Sequence, residues 1–254
     1  MSGWSPELSE RFPEQYETLR GMLRQRLVSR QLGEHIKKPP ARVCDVGGGA
    51  GHQAIPLARL GYEVTILDPS EEMLEKARDS LASEDGPVRE RVRMVCEPGE
   101  EASRVLKGET FDAVLCHGVL MYLEDPGPLI RAMGEVSRPG AIVSILTKNA
   151  DALAMRPALE GRYRDALEAF DSNRDSGRLG VLTRAHTVGE ISGMLAKSNV
   201  ETIRWYGVRV FADHLGEEHP GPDFADMLEA EWEAGRRDPY RGVGRMIHLV
   251  GRKK

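Results

Sequence analysis

The chain has 254 residues, 40% hydrophobic and 30% charged, with 27 glycines and 15 prolines spread along it. That length is enough to bury the core of a large α/β domain, and the composition excludes a coiled coil, a disordered tail or a disulfide-dependent miniprotein. A formal net charge of −5 excludes a globally basic nucleic-acid binder while leaving room for a local cluster of Lys and Arg.

No apolar run approaches the roughly 18 to 20 residues that span a bilayer, and the opening MSGWSPELSERF lacks the charged-then-apolar layout of a signal peptide. A cytoplasmic protein with no membrane partner is expected. Residues 7 to 36 are predicted as helix, because Tyr16, Leu19, Leu23 and Leu27 recur at spacings of three and four. Arg20 and Arg24 fall in or beside that apolar arc, where a cation needs a partner or a route to water.

After Pro39-Pro40 the pattern alternates: strand ARVCDV, a glycine loop, helix AIPLARLG, strand YEVTILD and helix EEMLEKARDSLAS. RVRMVC, FDAVLCH and AIVSILT are further strands with helices between them. Such alternation predicts an α/β fold with a parallel sheet covered on both faces, and its ligand edge is the one where the strands end. Residues 150–185 look like a polar helical insertion without a strand. Helix TVGEISGMLAKS, strand ETIRWYGVRVF, helix DFADMLEAEWEAGRR and strand GRMIHLVGR follow, with Gly207 as a bulge candidate. The two terminal strands complete seven and predict an antiparallel edge. One domain is expected, with an N-terminal helical cap (1–39), a cofactor-binding half (40–149), the insertion (150–185) and a substrate half (186–254). Cys44, Cys96 and Cys116 form no CxxC pair and sit in apolar runs, so each is expected to be a buried small hydrophobe.

The segment Asp45-Val46-Gly47-Gly48-Gly49-Ala50-Gly51 joins a strand to a helix. A dinucleotide loop starting at Gly47 requires glycine at position 52, which is His52, and no Gly-Lys-Ser/Thr follows to make a phosphate loop. Gly47, Gly49 and Gly51 at alternate positions fit another use, together with Asp68 at the end of the second strand. There a carboxylate can accept both hydroxyls of a ribose, while Asp45 answers a positive amino group. The implied ligand is a nucleoside joined to an amino acid.

With VCDVGGGAG and ILDPS the chain resembles the Rossmann-like class I S-adenosylmethionine methyltransferases over residues 40 to 150. GMLRQ, FDAVLCHGVLMYLEDP, WYGVRVFADHL and RRDPYRGVGRMIHLVGRK extend the resemblance, over nearly the whole chain, to the bacterial tRNA 5-carboxymethoxyuridine methyltransferase family. The resemblance implies S-adenosyl-L-methionine as cofactor, held by Arg24, Gly48, Gly49, Asp68 and His117, with Arg24 on the methionine carboxylate. It also implies tRNA as partner and no metal. It places Gly99 and Glu100 beside the adenine, where Pro98 departs from the pattern by removing a backbone donor. Lys148 is a second departure.

Arg209, with Tyr206, Phe211, Asp213 and His214, lies in an aromatic-rich stretch. Arg209, His214 and Tyr206 are the catalytic candidates, with Arg209 orienting one oxygen of an acceptor carboxylate. The alternative for Arg209 is an edge-strand side chain packed on Trp205. His248, alone among apolar neighbours, is expected to be a satisfied core histidine. Arg236, Arg237, Arg241 and Arg245 form either a solvated helix end or a phosphate-contacting patch. Two other functions are compatible with the sequence: a methyltransferase acting on a small-molecule acceptor, and a cofactor-binding module without turnover.

Overall fold

The computed structural model describes residues 18–176, 181–215 and 219–254. Of the long helix predicted at the N-terminus, the described part is α1 (Leu19–Gly33), opened by Thr18, whose hydroxyl accepts from the Gly21 amide at 3.2 Å; residues 7–17 lie outside the described residues. The chain continues as β1 (Arg42–Val46), α2 (Ala54–Arg59), β2 (Glu63–Asp68), α3 (Glu71–Ala82), α4 (Gly86–Glu90) and β3 (Val92–Cys96). It continues with α5 (Ala102–Val105), β4 (Phe111–His117), α6 (Gly127–Val136) and β5 (Ser137–Lys148). The rest is α7 (Met155–Leu159), α8 (Tyr163–Phe170), β6 (Arg174–Ser176), β7 (Leu182–Arg184), α9 (Val188–Lys197), β8 (Val200–Val208), α10 (Phe224–Arg236) and β9 (Met246–Lys253).

The main sheet has seven strands in the order β3-β2-β1-β4-β5-β9-β8, with β1 to β5 parallel and β9 antiparallel to both β5 and β8. Strand period two divides the apolar side chains between two cores. Cys44, Val46, Val114, Cys116, Val143 and Ile145 face α5, α6 and α9, whereas Val43, Val64, Ile66, Ala113, Leu115 and Ile142 face α2 and α3. A third cluster, of Leu19, Leu23, Leu27, Met121, Leu146, Val208, Trp232 and Met246, packs α1 and α10 over the edge where the parallel strands end. Strand order reverses between β1 and β4, so a crevice opens at their carboxyl ends, where Asp45 and His117 lie.

Three expectations change. The insertion is not purely helical: β6 and β7 pair as an antiparallel hairpin, and Lys148 Nζ bonds Thr183 Oγ1 at 2.6 Å and pairs with Asp175 on that hairpin. Gly207 is not a bulge. It pairs in register with Ile247, the shift lies between Thr202 and Arg204, and a Cβ on Gly207 would sit 2.4 Å from the Arg241 carbonyl oxygen, so close packing explains the glycine. Cys44 and Cys116 are buried but Cys96 is exposed, because β3 is the outer strand of the parallel side.

Candidate functional site

After β1 the chain turns through Gly47, Gly49 and Gly51 at φ of 70°, 50° and 78°, left-handed values that a side chain resists. Gly48 is glycine for space: a Cβ there would lie 2.8 Å from Asp45 Oδ2. Asp68 braces the loop, with Oδ2 accepting from the Gly49 amide and Oδ1 from the Ser70 amide, each at 2.9 Å. Each oxygen keeps a lone pair for a further donor. Burial raises the Asp68 carboxyl above its ordinary range, against the pull of those two amides. Asp45 is pushed further, to about 7, by burial and then by the charge of Asp68.

Asp45 Oδ2 is buried without a hydrogen-bond partner. An orphaned carboxylate oxygen costs about 1 to 3 kcal/mol or more, so the site is built for a donor that arrives with a ligand. It borders an open cleft of about 440 Å³ lined by Arg24, Gly47, Gly48, His52, His117 and Leu146. The residues therefore fit a ligand with a ribose and a charged amine: a glycine cradle, an acid braced at a strand end and an unanswered carboxylate. Burial, then the charge of Arg24, lowers His52 to about 4 and His117 to about 3, so both rings are neutral at physiological pH.

Sequence reasoning missed His52 and Gln25 as lining groups. Gln25 Nε2 donates to the His52 carbonyl at 2.9 Å, tying α1 to the glycine loop. The only available signal was that each adjoins a residue already singled out, Gln25 next to Arg24 and His52 next to Gly51. Arg20 finds a neutral partner, its Nε donating to the Leu215 carbonyl at 2.9 Å. The absent side chain of Gly99 is explained by packing, since a Cβ there would lie 2.4 Å from Val46 Cγ1 and 2.5 Å from Leu129 Cδ1. Glu100 is exposed.

A second cleft is lined by Met155, Arg156, Arg209, Asp213, His214 and Arg245. Arg209 directly follows β8 and adopts φ 58°. Its Nη2 lies 3.3 Å from Asp213 Oδ1, while Arg245 Nε and Arg156 Nε lie 3.7 and 4.0 Å from Asp213 Oδ2. Neither Asp213 oxygen nor Arg209 Nε, all buried, has a hydrogen-bond partner. Burial lowers Arg209 to about 10, opposed by Asp213 and assisted by the charges of Arg24, Arg245 and Arg20, so it stays charged at neutral pH. The charge of Arg24, which lines the first cleft, thus reaches Arg209 in the second. Glu231 on α10 holds the turn in place, its carboxylate accepting from the amides of Val210 at 2.6 Å, Phe211 at 2.9 Å and Ala212 at 2.7 Å.

The structure brings Arg209 and His214 together but separates Tyr206 from them. The Tyr206 ring is buried, and its hydroxyl donates to Glu34 at 2.7 Å and accepts from His35 Nε2 at 2.8 Å, at the far end of α1. The basic run near the C-terminus also disperses: Arg245 is buried against Asp175, Arg241 is held by Asp238 over the Trp205 ring, and Arg237 pairs with Glu233. His248 is a fully buried histidine with both ring nitrogens bonded.

This fold and cleft define a class I S-adenosylmethionine-dependent methyltransferase, and residues 44–145 match the methyltransferase domain family Methyltransf_11. The chain is 30% identical over 254 residues to the tRNA 5-carboxymethoxyuridine methyltransferase of Escherichia coli (strain K12), which covers 97% of this chain and 95% of that one. It belongs to the tRNA 5-carboxymethoxyuridine methyltransferase family. A ubiquinone biosynthesis O-methyltransferase of Xanthomonas campestris pv. campestris (strain B100) is 35% identical, but over 130 residues, 51% of this chain and 52% of its own. Among solved structures, magnesium protoporphyrin IX methyltransferase from Synechocystis PCC 6803 with bound SAH superposes with a TM-score of 0.62 at 14% identity, covering 98% of this chain and 95% of that one.

Proposed function

We propose that the acceptor is the carboxylate of 5-carboxymethoxyuridine at the tRNA wobble position, and that the product is its methyl ester. The observation that carries this proposal is the second cleft, in which Arg156, Arg209 and Arg245 surround Asp213 and the charge of Arg24 acts on Arg209. Arg156 also pairs with Glu160 and Arg245 with Asp175, which leaves Arg209, whose buried Nε has no hydrogen-bond partner, as the cation available to an anionic acceptor. Kinship with the Escherichia coli enzyme along nearly the full chain supports the same substrate.

S-adenosylmethionine supplies an electrophilic methyl on a sulfonium, which the acceptor oxygen takes in line to leave a neutral thioether. Asp68 would accept hydrogen bonds from the ribose hydroxyls, Asp45 and Arg24 would hold the amine and carboxylate of the methionine part, and Gly47, Gly48, Gly49, Gly51 and His117 would complete the wall. The segment at Gly99 and Glu100, just after β3, would border the adenine. A carboxylic acid has a pKa of about 4 and is ionised at neutral pH, so no side chain need act as base. The protein's task is alignment and exclusion of water. Arg209 Nε, charged and unpartnered, orients one carboxylate oxygen and leaves the other to attack; gripping both would weaken the nucleophile. His214 borders the same cleft. In this division of labour residues 40–149 serve the cofactor, while 150–185 and 186–254 build the acceptor side.

The internal pairing of Arg237, Arg241 and Arg245 shrinks the basic patch read from the sequence and favours, as a second reading, a small anionic metabolite. Nucleoside mass spectrometry of tRNA from a deletion strain decides between them: accumulation of the free acid with loss of the ester supports tRNA, and an unchanged nucleoside profile refutes it. Affinity for tRNA that falls steeply with salt is a second discriminator.

A further inference from the structure

His117, half-buried at the cofactor cleft, is one end of a hydrogen-bonded line that crosses three strands and ends on α1. His117 Nε2 lies 2.8 Å from Ser144 Oγ, Ser144 Oγ lies 2.7 Å from His248 Nε2, and His248 Nδ1 lies 2.8 Å from Gln31 Oε1. Ser144, His248 and Gln31 are wholly buried. We propose that Gln31, Ser144 and His248 are positioning residues that act through His117, holding it in the tautomer with its proton on Nε2, so that Nδ1 offers a lone pair to the cofactor.

The direction of the line follows from its ends. Gln31 turns its Oε1 to the ring and leaves its own buried Nε2 without a hydrogen-bond partner; in that orientation the amide oxygen only accepts, so His248 Nδ1 donates to Gln31 and its Nε2 is left as an acceptor. The Ser144 hydroxyl then donates to His248, and its oxygen accepts the Nε2 proton of His117. Electrostatics at the open end agree: Arg24 places a positive charge near the His117 ring, and a lone pair faces a cation at lower energy than an N–H does. Burial depresses both histidines, His248 well below its ordinary range and His117 to about 3, so neither gains a second proton that would reverse the line. Gln31 lies seven residues after Arg24 on α1, two turns on and on the same face. The line therefore anchors the helix that carries Arg24 to the strand that carries His117.

This inference rests on the proposed placement of the cofactor, and its test begins without the cofactor. Two-bond proton–nitrogen NMR spectra of the intact ¹⁵N-labelled protein report the tautomer of each histidine ring. The wild-type protein should show His117 protonated on Nε2 alone, unchanged from pH 6 to pH 8. Ser144→Ala should mix the two tautomers and weaken S-adenosylhomocysteine binding roughly twofold to tenfold, the range of one neutral hydrogen bond. Gln31→Met, which keeps the Ser144 contact, should relax the tautomer in the same sense. A wild-type His117 protonated on Nδ1 overturns the proposal. So does a Ser144→Ala protein that melts lower with His117 unchanged, which marks a purely structural role, or one with an altered tautomer and a wild-type Kd. Failure of the wild-type protein itself to bind S-adenosylhomocysteine is a separate result that removes the proposed cofactor site.

Discussion

The cofactor cleft and the acceptor cleft are built in opposite ways. On the cofactor side, the end of β1 supplies the acid Asp45, the loop directly after it supplies three left-handed glycines, and the next strand supplies the brace, Asp68. On the acceptor side, Arg156 comes from α7, Arg209 and Asp213 from the turn after β8, and Arg245 from the approach to β9. The first is local geometry imposed by a few consecutive residues, and it lies within residues 44–145, which match the methyltransferase domain family. The second exists only once distant segments have packed, and it is on this side that likeness to the tRNA enzyme persists.

The sharpest way to separate the two clefts is Arg209→Lys. The charge survives but the planar fork is lost, so single-turnover methylation of ester-free tRNA should fall about a hundredfold, the cost of misplacing reacting groups slightly. Cofactor affinity should stay near wild type, and a wild-type rate at saturating tRNA would remove Arg209 from the acceptor side. The complementary change is Asp68→Ala, which should weaken S-adenosylhomocysteine binding roughly tenfold to a hundredfold through the loss of charge-assisted bonds. An unchanged dissociation constant by calorimetry refutes the assignment of Asp68.

The pH dependence probes the cofactor side alone. Because the Asp45 carboxyl sits near 7 before the ligand arrives, acid protonates the very acceptor an ammonium requires. Affinity should drop about tenfold from pH 8 to pH 6, with proton release on binding at the lower pH, and Asp45→Asn should flatten the profile. The smallest effect belongs to Tyr206→Phe. Loss of the hydroxyl that links Glu34 and His35 should destabilise the fold by about 1 kcal/mol while leaving the methylation rate alone. A large loss of rate with an unchanged melting temperature would return Tyr206 to the acceptor site.

That same contrast explains what could be read in advance. The alternation of strand and helix, the antiparallel edge and the glycine loop follow from patterns short enough to be visible in a dozen residues, whereas the order of the strands in the sheet does not. Tyr206 is near Arg209 only along the sequence: it lies within β8 while Arg209 begins the turn beyond it, and its ring stacks with His248 inside the fold. The four C-terminal arginines looked like one patch because sequence shows proximity but not partners, and Asp175, Asp238 and Glu233 are partners that only folding reveals. The hairpin β6–β7 escaped notice because three-residue strands carry too little periodicity to register.

The carboxylate of Glu231, bonded to three successive amides, changes what kind of object the Arg209 turn is. Loops that carry function usually exchange their amide hydrogens freely, yet here Val210, Phe211 and Ala212 can do so only when α10 lifts away. The turn and the helix then open as one unit. Solvent exchange at those three positions should track exchange within α10, which would mark the turn as part of the docked helix and not as a slack strand end.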